Sequence, residues 1–433
     1  MSSNTLQTKR IPSIDRFRGL VIFCMIMFQF IEHFKNLGVW ATISKHAPNE
    51  NAIYFLPNFS VADIVAPMFI LAIGLTFIPS LNRRIEKYGK KDAVILFAKR
   101  YLTLIGIGIA MNGINDVLDG PESLLDKAVV VLTVLVLLFG LVALILKIAK
   151  VKSRGKFYNI YSWYMSALGV FGIIVALWNA IGYVSGATDS SLGHWLVLHH
   201  IGFAGLVALP FALIKGKKGD YVRLIAGITI LALFAIFHEG NLANDLFENN
   251  MKLIDETADG GFIGGFAWGA MLLIYLFFAE KFRERKNKML PPPSFGIFAV
   301  IVATLLVAIF KTLPDGTTYS TWAGAYSSFL PINKGSVSPS YVIIASFISL
   351  FIFYIFELFN SLSIKADVLA WWGKNPILMY CVEFAVIGGL NAACEDYFEV
   401  ASVPVSIAII LVTGCALTFL AWILDKKKII IKL

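Results

Sequence analysis

Histidine is the side chain best suited to moving a proton near neutral pH, and it can also carry an acyl group as an acyl-imidazole. In this chain His33 and Gln29 stand in one apolar run, and His46 follows in the polar stretch "SKHAPNEN". His199 and His200 lie in "WLVLHHIGFAG", and His238 with Glu239 closes another run. Asp63 sits in "FSVADIVAPMFILAIG". A carboxylate entering an apolar run must be neutralised or find a cation. These residues invite proton abstraction from an amine or hydroxyl, with His46 as base and Asp63 as its orienting partner, and with His200 or His33 as rival bases. A histidine taken alone is more often structural. A second group has a different chemistry. Asp15, Arg16 and Arg18 in "SIDRFRGL", with Lys374 and Asn375 in "AWWGKNPILMY", offer donors whose geometry suits phosphate. The competing explanation for that group is a capped helix start and ordinary membrane anchoring.

The elements that hold these residues are apolar runs. Of 433 residues 58% are hydrophobic and 15% charged, where a soluble domain carries nearer a quarter charged. Runs of about 20 residues recur from end to end, each long enough to cross a bilayer core as a helix. About twelve spans are expected, near 18–38, 59–80, 93–113, 126–147, 157–184, 195–214, 221–238, 261–281, 294–312, 339–362, 369–392 and 403–424. The fold class is therefore all-α: a polytopic integral membrane helical bundle, read as one domain over 1–433.

Basic residues set the orientation, because they concentrate on the cytoplasmic side. Lys9, Arg10, Arg16 and Arg18 precede the first span, Arg83 to Lys91 follow the second, Lys147 to Lys156 the fourth, Lys215 to Lys218 the sixth, Lys281 to Lys288 the eighth, and Lys426 to Lys428 the last. Both termini are assigned to the cytoplasm, and the histidines to the outer half. The net charge of +9 is explained by inner-face anchoring without nucleic acid. The outer loop at 239–259 carries Glu239, Asp245, Glu248, Asp255, Glu256 and Asp259 against Lys252. It is expected to draw a cationic acceptor. The loop "PDGTTYSTWAGAYSSFLPINKGSVSPS" is rich in aromatic and small polar residues. Cys24, Cys381, Cys394 and Cys415 have no metal-ligand spacing, and no metal is expected.

Five motifs occur in order: "SIDRFRGL", "FSVADIVAPMFILAIGLTF", "LPINKGSVSPSYV", "GKNPILMYCVE" and "AWILDKKKIIIKL". Together they resemble the heparan-α-glucosaminide N-acetyltransferase family of polytopic membrane acyltransferases. That resemblance implies acetyl transfer from cytoplasmic acetyl-CoA to an amino sugar or other glycan acceptor on the far side. It implies Asp15, Arg16 and Arg18 at the family's first motif, Asp63 at its aspartate, Asn333 and Lys334 at its "PVNK" segment, and Asn375 at its later asparagine. His46, in "HAPN", is the match to the family's active-site histidine. Gln29 stands where the family usually has asparagine, and His200 where it has arginine. The run 126–184 adds two spans to the family core.

These readings give donor-side residues Arg16, Arg18, Lys374 and Asn375, and acceptor-side residues Gln29, His199, His238, Glu239, Asn333 and Lys334. Expected partners are membrane lipids, the coenzyme A donor and a carbohydrate or amine acceptor, with room for a homodimer. The expected location is a bacterial inner (plasma) membrane. A transporter of a sugar, amine or lipid-linked substrate is the alternative, with the same polar residues forming a pathway. A structural or assembly protein is the third.

Overall fold

The computed structural model describes residues 12–46, 54–119, 127, 130–135, 138, 142, 154–181, 195–239, 259–285, 290–312, 332–359, 367–383, 386–387, 389–390 and 401–429. Most of the expected spans at 126–147, the acids between 240 and 258, the aromatic loop 313–331 and Cys394 lie outside the described residues. The described chain is all-α apart from one small hairpin. Its helices are α1 (Pro12–Glu32), α2 (Val39–Ser44), α3 (Val65–Tyr88), α4 (Lys90–Asp119), α5 (Arg154–Ile181), α6 (Val197–Ala212), α7 (Gly216–Glu239), α8 (Gly261–Glu284), α9 (Pro293–Thr312), α10 (Pro339–Phe359), α11 (Val368–Lys374) and α12 (Val403–Lys426). The strands β1 (Tyr54–Leu56) and β2 (Phe59–Ser60) pair antiparallel. Among the described residues seven helices are long and apolar enough to cross a membrane: α3 with the turn before it, α4, α7, α8, α9, α10 and α12.

The chain divides into two compact units. The first comprises Met1–Lys45, Asn287–Leu290 and Ser349–Lys432, and the second His46–Lys286 and Pro291–Ile348. In the first, α1 lies against α11 and α12 packs on α11. The α1–α11 approach is unusually close. A Cβ on Gly19 would fall 1.7 Å from the Leu369 carbonyl oxygen, and one on Gly373 would fall 1.8 Å from that of Asp15. The glycines of "SIDRFRGL" and "WWGKN" are thus mutual contact points, which fixes where Arg16, Arg18 and Lys374 emerge. The run 369–392 is broken at Asn375 (φ −130°, ψ 55°). Pro376 follows it, and a residue before proline is pushed out of the α region.

In the second unit α8 is the central helix, packed on α3, α6 and α7. Of its most apolar stretch 89% is buried, against 17% for α9. On α9, Ile297, Val300 and Val307 present apolar side chains outward. Such a row is stable only where lipid covers it. Helix α4 packs on α5 and α6, so the run 157–181 joins the second unit's core through Ile105, Ile109, Met165 and Leu168.

Candidate active site

Asp63 reaches its position through three local devices. In the loop between β1 and β2, Pro57 takes the first central place and Asn58, at φ 53°, the second, the pattern of a type II turn. Next, the spacing Ser60-Val61-Ala62-Asp63 lets the acid reach back three residues. Asp63 Oδ2 accepts hydrogen bonds from the Ser60 N–H at 2.8 Å and the Ser60 hydroxyl at 2.9 Å. This is the returning half of a capping box. Finally, Tyr341 on α10 donates its hydroxyl to the Asp63 carbonyl oxygen at 2.8 Å. The carboxylate is fully buried at the mouth of α3.

The other carboxylate oxygen, Oδ1, lies 2.8 Å from His46 Nδ1. An ionised carboxylate only accepts, so against it Nδ1 donates, and in the neutral imidazole Nε2 is the nitrogen with the lone pair. The His46 side chain is 47% exposed, while Asp63 has no exposed surface. The arrangement is that of a half-exposed imidazole held by a buried acid.

A second pair lies in the same unit. Asp259 receives the Lys334 ammonium at 2.6 Å, and both are largely buried. Asp259, Gly260 and Gly261 take φ of 55°, 84° and 58°. Gly260 and Gly261 carry the chain through this left-handed bend into the start of α8. Burial raises the Asp259 carboxyl. The Lys334 ammonium outweighs it, helped at longer range by His200 and His46, and holds the group below the usual carboxylate range. Asp259 is therefore not part of a diffuse acidic surface, as the reading of loop 239–259 assumed; it is an inward, paired acid. Asn333 braces the same segment: its Oδ1 accepts from the Ser336 N–H at 3.3 Å and its N–H donates to Ser338 Oγ at 3.0 Å. Asn58 donates to the Ile332 carbonyl at 2.6 Å, which ties this segment to the hairpin. Trp268 donates to the Asp259 carbonyl at 3.1 Å, and its ring lies 6.0 Å from His200 and 6.1 Å from Tyr341.

His199 and His200 stand on α6 and are buried. His200 Nε2 donates to the Trp195 carbonyl at 2.7 Å, and His199 Nδ1 accepts from the Leu196 N–H at 3.2 Å. His33 and Gln29 belong to the first unit, His33 half-buried after the end of α1 and Gln29 exposed upon it. His238 and Glu239 close α7, and their side chains lie outside the described set. The donor-side group, also in the first unit, is matched charge for charge. Arg16 donates to Asp367 at 2.8 Å, Lys374 pairs with Asp425 at 2.5 Å, and Arg18 stands 3.9 Å from Asp15. Asn375 donates to the Ile429 carbonyl at 2.8 Å. A phosphate at this place would have to displace carboxylates.

Ser60, Tyr341 and Trp268 were not foreseen as site residues. The S-x-x-D spacing was available as a signal for Ser60. Nothing local marks Tyr341, which meets Asp63 across 278 residues. No protein-family model matches this chain, and no curated protein matches it.

Proposed function

We propose that the chain is a membrane acyltransferase that moves an acetyl group from acetyl-CoA to an amine or hydroxyl acceptor, with His46 as general base. The observation that carries this reading is the His46–Asp63 contact, a fully buried acid behind a half-exposed imidazole. His46 Nε2 takes a proton from the acceptor nitrogen or oxygen as that atom bonds to the thioester carbon. The carbon–sulfur bond then breaks, and the thiolate leaves and recovers a proton as coenzyme A. Asp63 holds the imidazole in the required tautomer and stabilises the imidazolium that forms. Tyr341 and Ser60 act through Asp63 as positioning residues. The Asp259–Lys334 pair lies within electrostatic reach of the dyad. Asp259 is already neutralised by Lys334, so a cationic acceptor would have to displace that ammonium to use it.

The test is transfer of radiolabelled acetyl from acetyl-CoA to a panel of amino sugars and sugar alcohols by reconstituted full-length protein, each face addressed separately. Label in acceptor that is lost in His46→Ala supports the reading. Flux of unmodified sugar without label transfer would replace it with the transporter reading.

A further inference from the structure

The end of α3 opposite Asp63 carries a charge surplus of another kind. Between residues 83 and 100 there are seven basic residues and two acidic ones. Placement of positive loops on one membrane face needs charges in water and nothing more. Two of these arginines are held differently. Arg84 lies with its guanidinium carbon 5.1 Å from the Phe97 ring centre, and Arg100 lies 5.9 Å from that of Tyr101. Those rings are buried and packed together: Phe77 stacks on Tyr101 at 5.5 Å and lies 5.5 Å from Phe97. Arg100 is the charged side chain that bears on Arg84, and no carboxylate is among the groups that do. Among the described residues neither arginine has a carboxylate in ion-pair range, and Arg100 Nε is buried without a hydrogen-bond partner. Arg283 nearby is matched by Glu280, but Arg83 adds a further positive charge beside it. Lys99 is held by the Asn159 amide at 3.0 Å and by the Trp163 ring, with no acid in ion-pair range among the described residues.

The geometry points to Arg84 and Arg100 as a binding site for a phosphate-bearing ligand. An aromatic ring engages the face of a guanidinium and leaves its donor edge available, and that edge matches phosphate oxygens. Arg84 and Arg100 act on each other as like charges, and an anion bound by both relieves that repulsion. The site stands 21 residues along one continuous helical path from Asp63, roughly 30 Å at 1.5 Å per residue. It is thus separate from the His46 chemistry and does not rest on the acyl-transfer reading. A soluble pyrophosphate ester and a lipid headgroup share the chemistry it recognises.

The test uses the full-length protein, following thermal unfolding and calorimetric titration with inorganic pyrophosphate and with coenzyme A. Parallel nanodiscs contain phosphatidylglycerol or phosphatidylcholine. A soluble probe should raise the melting temperature of the native chain. Arg84→Gln with Arg100→Gln should weaken its binding by about tenfold or more, the worth of a lost charged hydrogen bond. Arg16→Gln with Lys374→Gln, whose charges are already matched, should leave it unchanged. If phosphatidylglycerol alone stabilises the native chain, and the Arg84/Arg100 variant loses that effect, the phosphate belongs to a lipid. If the double glutamine variant does not fold, Arg84→Lys with Arg100→Lys keeps the charge and should still weaken binding, because the fork is gone. No response of the native chain to any probe, or equal response in native and Arg84/Arg100 variants, overturns the proposal.

Discussion

Two imidazole centres occupy the second unit, and they differ in everything except the side chain. His46 follows the short helix α2 by two residues, stands half in the open, and is backed by a buried carboxylate. His199 and His200 sit on an apolar helix with 1% of their surface exposed, and backbone groups serve them. Trp195 packs its ring 5.5 Å from His199 and 6.1 Å from His200. A base must meet its substrate and must be helped to hold a positive charge. His46 has both an open face and an acid behind it; the buried pair has no open face. Burial and partner, more than residue type, divide chemistry from structure here.

The comparison can be broken most decisively at His46. His46→Ala should lower acetyl turnover by about 10²–10⁴-fold, the usual worth of a general base, in a single-turnover assay with coenzyme A binding measured alongside. Near-native turnover there, with loss on replacing His200, would move the base to α6. Asp63→Asn comes next, at roughly 10²-fold, because an amide can present its N–H to Nδ1 and force the wrong tautomer. Its pH–rate profile should change shape, where a purely structural residue would leave the profile in place. Ser60→Ala removes one hydroxyl donor from the carboxylate and keeps the backbone N–H. About tenfold in turnover is expected, in line with a single charge-assisted hydrogen bond. His200→Ala should leave turnover per folded molecule near native and lower thermal stability by about 1–3 kcal/mol, measured by calorimetry, as a structural histidine would. The smallest effect is on acid stability. Asp259 is held below its unfolded value of about 3.9, so its pairing stabilises the fold above that pH and is lost as pH falls through the lower folded value. Lys334→Gln should therefore move acid unfolding to higher pH, and an unmoved midpoint would remove Lys334 as the cause.

The helices and their apolar character were legible because a bilayer-length run is a local property. The His46–Asp63 pairing was legible too, since both residues lie within one loop-and-helix segment. What could not be read is compensation at a distance. Arg16 meets Asp367 across 351 residues, and Lys374 meets Asp425 across 51. From sequence the "SIDRFRGL" cluster looks like surplus positive charge, and its glycine looks like helix punctuation. In the fold the charge is cancelled, and Gly19 is a contact surface for α11. Conversely, Arg84 reads in the sequence as an anchoring residue and Arg100 is not singled out there, because aromatic packing beneath a guanidinium has no sequence signature at spacings of 13 and 1.

The burial of α8 has a consequence for how the protein is made. Its main packing neighbours α3, α6 and α7 precede it in the chain and emerge first from the ribosome, while α9 follows. Until residues 261–284 are synthesised, those three helices, of which α6 touches both others and α4, lack the helix they share. Assembly of the second unit is then gated by the arrival of one helix, which exchanges a lipid shell for protein almost all the way round. Slowing translation just before residue 261 would prolong that hollow intermediate, the stage at which a membrane quality-control protease has most to grip.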